Sequence, residues 1–118
     1  PKVRLPGAGG APEIAASCRR VIMVGRQSPR AFVDRVGFRT SLGDRVTTVV
    51  TDLGVLERDP RRGELVLTAL HPGVSVDAAR AATGWDLVVT DDVAATPVPA
   101  ADELAVLRQL AAGRGRAA

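Results

Sequence analysis

The chain has 118 residues, 46% of them hydrophobic but only 3% aromatic, and a formal net charge of +3. That length accommodates one domain, a single cysteine (Cys18) excludes an internal disulfide framework, and no apolar run is long enough to span a bilayer. The lone thiol and the absence of an apolar leader in PKVRLPGAGG set the cytoplasm as the expected compartment, and the start at Pro1, close before a glycine turn, sets a fragment or processed chain as the expected form.

Fifteen of the 16 basic residues are Arg. Seven of them, with only two Asp, fall between Arg19 and Arg45, a local excess of five positive charges. Such a segment attracts phosphates by its field, or is simply a solvated face. A nucleic-acid-binding module built on it would need aromatic platforms for base stacking, and only Phe32 and Phe38 lie within it.

In chain order, Leu5–Gly10 (LPGAGG) is a tight turn, because each glycine in a helix interior costs about 1 kcal/mol. Ala11–Cys18 follows as a helix, with Pro12 and Glu13 as start signals. Val21–Val24 (VIMV) reads as a buried strand of a sheet covered on both faces. Ser28–Thr40 fits neither the helical nor the strand period. Arg45–Leu56 is β-branched and predicts a strand bent or bulged at its TDLG step. Asp59–Gly63 (DPRRG) is a turn into a partner strand, Glu64–Leu70, which ends at His71-Pro72-Gly73. Ser75 caps a helix over Val76–Thr83, with Gly84 at its C′ position. Trp85–Thr90 is another strand, Thr96–Pro99 an extended linker, and Ala101–Ala112 an amphipathic helix carrying Leu104, Leu107 and Leu110. Residues 113–118 are expected to form a flexible tail. Strands alternating with helices predict an α/β fold, an open mixed or parallel sheet with flanking helices. Only Lys2–Leu5 precedes the glycine turn, so further strands are expected from outside this sequence.

Few side chains are placed for chemistry. The Gly7-Ala8-Gly9-Gly10 turn before a helix can offer backbone N–H donors to an anion or a developing oxyanion, or can be a structural turn. Neither G-x-G-x-x-G nor a Walker loop is present. Arg4, at the end of the short segment before the turn, can pair with a carboxylate or phosphate, or sit on the surface. Glu13 suits the helix dipole better than base catalysis. His71 is the sole histidine, and with one cysteine no zinc site or Cys/His dyad is supported. Ser17 and Ser28 lie in no nucleophile elbow. Asp52 reads as a turn-maker. Adjacent Asp91 and Asp92 would point to opposite faces of a strand.

Taken in order, LPGAGGAPEIAAS, AFVDRVGFRTS, VVTDLGVLE, LTALHPGVSVDAARAATGWDL and TPVPAADELAVLR resemble the C-terminal half of the β subunit of class I CoA-transferases, in the glutaconate CoA-transferase β-like branch. GAGGAPEIA and ALHPGVSVDAARAATGWDL are similar, within that branch, to the actinobacterial steroid-ring-opening CoA hydrolase of cholesterol catabolism. The resemblance implies that residues 1–118 are the C-terminal part of one β-subunit domain. It implies an α-subunit partner in an αβ or α2β2 assembly, and an acyl-CoA thioester site at the subunit interface. Gly7, Gly9, Gly10 and Ala11 would line that site and Arg4 would face the substrate as the catalytic candidate. Coenzyme A enters as part of the substrate, with no resident cofactor, no metal, no nucleic acid and no membrane. The family's nucleophilic Glu has a Ser-Glu-Asn-Gly neighbourhood that none of Glu13, Glu57, Glu64 or Glu103 shares, so this chain alone is expected to be inactive. The resemblance favours hydrolytic opening of the last steroid ring as the chemistry, with CoA transfer between carboxylic acids as the alternative. The family's longer glycine-rich loop is here reduced to Ser41-Leu42-Gly43-Asp44-Arg45.

Overall fold

A computed structural model describes residues 9–114. Eight elements follow one another among these residues: α1 (Gly10–Ser17), β1 (Val21–Val24), β2 (Val46–Val50), β3 (Gly54–Arg58), β4 (Leu65–Leu70), α2 (Val76–Ala81), β5 (Val89–Ala95) and α3 (Ala101–Arg114). The strands form one open sheet in the order β1-β2-β3-β4-β5. β1 pairs with β2 and β4 with β5 in parallel, whereas β3 is antiparallel to both its neighbours. Four strands therefore point the same way and only β3 runs against them. This is the mixed α/β sheet with flanking helices that the sequence predicts.

The core forms around the middle strands. Leu56 and Leu67 are fully buried, joined by Val49, Ala79 and Leu87, with Phe32, Val46, Leu65, Leu70, Trp85 and Val89 packed at its margin. Removing a leucine side chain from water contributes about 2–3 kcal/mol, so these residues anchor the sheet. Thr48 and Val49 are consecutive and both buried, as are Val66 and Leu67. Since consecutive strand residues face opposite ways, β2 and β4 are covered on both faces. Over Thr48 lies Arg20, whose guanidinium donates to Thr47 Oγ1 (2.9 Å) and Thr48 Oγ1 (3.2 Å).

The β3–β4 hairpin closes as predicted. The Gly63 N–H donates to the Asp59 carbonyl at 2.7 Å, Asp59 Oδ1 accepts from the Arg61 N–H, and Gly63 adopts φ +72°, a left-handed conformation that glycine enters without steric penalty. The Ser75 cap also forms: its Oγ accepts from the Ala78 N–H at 3.1 Å.

Five expectations change. The stretch 45–56 is two strands, because TDLG reverses the chain completely. Thr51 closes the reversal from both sides: its N–H donates to the Gly54 carbonyl (2.8 Å) and its Oγ1 accepts from the N–H groups of Leu53 and Gly54. Gly84 is not a left-handed cap. Helix α2 stops at Ala81, and Gly84 is needed because a Cβ there would lie 2.7 Å from the Phe32 carbonyl oxygen, which already accepts the Gly84 N–H. The last strand begins at Val89 and runs on to Ala95, so Leu87 enters the core ahead of the strand. Helix α3 has no fully buried side chain among the described residues: Val106, Leu107 and Leu110 are mostly exposed and only Leu104 is half-buried. Finally, VIMV is a strand but not a buried one: Ile22, Met23 and Val24 are all exposed, β1 being the outermost strand on its side among the described residues.

Residues 25–45 cross from β1 to β2 without helix or strand. The crossover is pinned to α2 and the loop after it. Phe32 stacks on Trp85 with ring centroids 5.9 Å apart and planes 12° from parallel. Helix α3 extends through Arg114, so the first two residues of the expected tail are helical, and 115–118 lie outside the described residues.

Candidate functional site

Because β1, β2, β4 and β5 share a direction, their carboxyl ends fall along one edge of the sheet. In open α/β sheets this is the edge beside which ligands bind. It carries Gly25-Arg26-Gln27 after β1, Thr51-Asp52 after β2, His71 after β4 and Thr96 after β5.

These residues form one hydrogen-bonded chain. The buried Gln27 donates from Nε2 to Thr83 Oγ1 (2.8 Å) and to the Ala79 carbonyl (3.2 Å), and its Oε1 accepts from Thr51 Oγ1 (2.9 Å). Thr83 Oγ1 in turn donates to the Ala79 carbonyl at 2.8 Å. Asp52 Oδ1 accepts the Gln27 backbone N–H at 2.8 Å, while Oδ2 lies 3.5 Å from Arg26 Nε. His71 Nε2 faces the Thr51 carbonyl at 2.8 Å. A carbonyl only accepts, so Nε2 carries the proton, and in the neutral ring Nδ1 accepts from Thr96 Oγ1 at 2.7 Å. His71 thereby ties the β2–β3 turn to the start of the linker that leads to α3. No buried side-chain polar atom among the described residues lacks a partner. A fully satisfied network of this kind fixes geometry rather than offering free groups to a substrate.

The contacts of Asp52 displace its titration. The Gln27 N–H bond, ahead of the Arg26 contact, holds its carboxyl below the usual carboxylate range. A depressed folded value means that the stabilisation is complete above the unfolded value, about pH 4, and is lost as pH falls through the lower folded value. Asp52→Asn is therefore expected to be less stable than the parent between about pH 5 and 7, with the gap narrowing on acidification below about pH 4. Urea unfolding at several pH values checks this; a gap independent of pH would show that the charge of Asp52 contributes nothing.

The remaining candidates separate clearly. Arg4 and Gly7 lie outside the described residues. Gly9 is the residue before α1, Gly10 and Ala11 open the helix, and all three are exposed. A Cβ added at Gly9 would meet nothing within 4 Å, and at Gly10 only Ile14 Cδ1 at 3.9 Å; neither residue has positive φ. Among the described residues, neither crowding nor a left-handed backbone calls for glycine at these positions. Beside them Pro12, Arg39, Thr40, Ser41 and Leu42 line a concavity of about 320 Å³, which brings the FRTS segment against the first turn of α1. Arg39 is thus placed beside the first turn of α1, a placement that no local pattern reveals. Glu13 is an exposed first-turn acid, Ser17 ends α1, and the Ser28 carbonyl closes a turn by accepting from Ala31 and Phe32. Asp91 and Asp92 sit exposed on β5. No group of three or more His, Cys, Asp or Glu that could hold a metal ion exists among the described residues, and none of the described helices is long and apolar enough to cross a membrane.

Of the seven arginines between Arg19 and Arg45, three are engaged within the fold. Arg20 binds the threonines of β2, Arg26 faces Asp52, and Arg45 donates to the Cys18 carbonyl just beyond α1. The basic stretch is in part a set of intramolecular ties.

Comparison with known proteins assigns this architecture. Residues 1–82 match the coenzyme A transferase family. The chain is 39% identical, over 95% of its length, to one of the subunits of the 3-oxoadipate CoA-transferase of Pseudomonas knackmussii, and covers 49% of that protein. It superposes on glutaconate coenzyme A-transferase from Acidaminococcus fermentans with a TM-score of 0.80 and 26% identity, over 92% of this chain and 47% of that one. The decarboxylase AibA/AibB gives 0.77 and 32%, over 92% and 45%, and IpdAB of Rhodococcus jostii RHA1, at 22% identity and 0.73 over 92% and 49%, shares the fold. The chain spans about half the length of the relatives it matches. With its mixed open sheet and its glycine-led first helix in place, this is a class I β-like portion of the coenzyme A transferase family, to which the chain belongs.

Proposed function

We propose that this chain is part of the β subunit of an enzyme that moves coenzyme A between carboxylic acids, acting with an α-type subunit on an acyl-CoA thioester at their shared boundary. The 3-oxoadipate CoA-transferase relative, 39% identical along nearly the whole chain, supports transfer as the chemistry. The observation that carries the site is the pair Gly9 and Gly10, exposed at the start of α1. No described residue crowds these positions, so the start of α1 is open to the close approach of another molecule. In this reading Gly7, Gly9, Gly10 and Ala11 present backbone N–H groups to the thioester carbonyl. As the tetrahedral intermediate forms, negative charge grows on that oxygen, and fixed donors at a helix start stabilise it without reorganisation. Arg4 pairs with the carboxylate or CoA portion of the substrate. The nucleophilic carboxylate comes from outside this chain, so the chain works only within the αβ or α2β2 assembly, and residues 1–118 are one part of a single β-subunit domain.

A second reading, hydrolytic ring opening of a steroid-derived acyl-CoA, is favoured by the GAGGAPEIA and HPGVSVDAARAATGWDL segments. The two differ in the bond broken: transfer breaks the thioester and moves the CoA to a second carboxylate, whereas ring opening adds water across a ring carbon–carbon bond and leaves the thioester intact. The β subunit containing this sequence, purified with its α partner, is given an acyl-CoA with and without a free carboxylic acid, and the products are resolved by mass spectrometry. Transfer predicts a new acyl-CoA only when the acid is present; a water-derived product formed equally without it would overturn this reading. Within that complex, Gly10→Ala is expected to keep or slightly raise thermal stability, since alanine favours a helix by up to about 1 kcal/mol over glycine. Its kcat/KM should fall by at least about tenfold, equal to about 1.4 kcal/mol of transition-state stabilisation. Arg4→Ala should lower turnover similarly. Unchanged kcat/KM in both variants would remove the glycine turn from the site.

A further inference from the structure

Cys18, Arg19 and Arg20 join α1 to β1, and the start of β2 holds this joint from both sides. Arg45, the residue before β2, donates from Nη1 to the Cys18 carbonyl at 3.1 Å. Its own carbonyl accepts the Val21 N–H at 2.9 Å. In return Arg20 reaches over β2, donating from Nε to Thr47 Oγ1 and from Nη2 to Oγ1 of the buried Thr48. Two arginines distant in sequence thus grip each other's segments. The register of β1 against β2 shifts at this point, between Val21 and Ile22, so regular strand pairing does not by itself fix the joint. Cys18 is the C-cap of α1, and its carbonyl is one of the groups that a helix leaves without an internal partner. The helix sequence GAPEIAAS contains no basic residue, so the cation favoured at its carboxyl end is supplied across the fold by Arg45.

We propose that Arg45, with Arg20 as its counterpart, is the positioning residue of the glycine turn: this clamp sets the direction of α1, and with it the place where Gly9 and Gly10 offer their N–H groups. The proposal rests on the reading of that turn as the thioester site. Packing leaves the direction to be set by other means, since Ala15 is the one buried residue of α1 among the described residues and a single methyl group resists tilting poorly. With eight residues α1 is about 12 Å long. A tilt of about 5° at the clamp moves its first residue by about 1 Å, and a misplacement of that size can slow a reaction by about a hundredfold. Global stability registers the same tilt weakly, because the Arg45 bond is exposed and water replaces it. Arg45 acts through the helix and not on substrate: it holds the end of α1 opposite to Gly10.

The test uses the β subunit containing this sequence in complex with its α partner. Arg45→Met removes donor and charge, Arg45→Lys keeps both, and Arg61→Met, in the DPRRG turn, removes a charge elsewhere. In Arg45→Met kcat should fall about tenfold with KM changed by less than about twofold, because donors that meet the oxyanion only in the transition state lower kcat and kcat/KM together. Arg45→Lys should return kcat to within about threefold of the parent, since an ammonium can make a single bond to a carbonyl without the guanidinium fork. Arg61→Met should match the parent. Hydrogen exchange at the amides of Ile14–Cys18 should quicken by about threefold or more in Arg45→Met, with Ala82 and Thr83 after α2 unchanged and the urea midpoint unmoved. Unchanged exchange in α1, quickened exchange with full kcat, a raised KM at constant kcat, or a loss that Arg45→Lys does not recover would each overturn the inference. The two readings fail differently: a silent Gly10→Ala removes the glycine turn from the site, whereas unchanged α1 exchange in Arg45→Met removes the clamp even where Gly10→Ala lowers kcat/KM as expected.

Discussion

Gly54→Ala is expected to cost about 3 kcal/mol of stability, the upper range for forcing extra volume into a packed interior. Gly54 opens β3 and pairs with Leu70, and the register of that pair shifts just beyond it, between Val55 and Leu56. A Cβ at position 54 would run into the Ala69 carbonyl, with the Ala69 carbon and Leu70 Cα each 3.2 Å away. All three are backbone atoms of β4, so relief cannot come from a rotamer change; the two strands must separate. Gly54 also accepts and donates within the Thr51 turn, so displacement of β3 loosens that turn as well. Gly43→Ala, where an added Cβ meets nothing within 4 Å, is the control and should change stability by less than about 0.5 kcal/mol. Urea unfolding followed by circular dichroism measures both; equal midpoints would mean that β3 and β4 can part without cost.

Gln27→Ala should destabilise by about 2–4 kcal/mol. Three buried hydrogen bonds disappear together, those to Thr83 Oγ1, to the Ala79 carbonyl and from Thr51 Oγ1, and the space of the amide is left behind. The loss falls unevenly. Thr51 can turn its proton to the Gly54 carbonyl at 3.1 Å, and Thr83 still donates to Ala79, but Thr83 loses the donor that filled its oxygen. Since Gln27 links the β1 end to α2, the crossover 25–45 should become more labile, which hydrogen exchange at Ala31 and Phe32 would register. A double-mutant cycle with Thr83→Val isolates the pair, and a coupling of about 1–2 kcal/mol is expected. Strict additivity would mean that the two side chains stabilise the fold separately.

Particular elements show how far local pattern reaches. The Ser75 cap, the DPRRG turn and the alternation of ELVLTAL into a hairpin strand follow from interactions a few residues apart, and the structure repeats them. TDLG is legible as an interruption but not as a complete reversal, because the choice between a bulge and a turn depends on whether Thr51 finds Gly54 and whether β4 lies close enough to demand a glycine. VIMV misleads on burial. A run apolar on both faces states what the strand is suited to, while its exposure depends on which neighbours are present. Gln27 carries no local signal at all; it becomes central only when the ends of β1 and β2 and the last turn of α2 meet.

The candidate site divides along the same line. A glycine turn running into a helix is written in adjacent residues, and its capacity to offer N–H donors follows from helix geometry alone. That no described residue crowds Gly9 and Gly10, that FRTS comes to rest beside the first turn of α1, and that Asp52 and His71 are tied into a structural network are matters of tertiary contact. Adjacent residues dictate the order of elements, the caps and turns, and an apolar surplus on β1, since each depends on bonds and side-chain periods within a short stretch. The sheet direction at β3, the carboxyl-edge network and the uncovered face of β1 depend instead on which distant segments pack together, and only the folded chain brings those segments into contact.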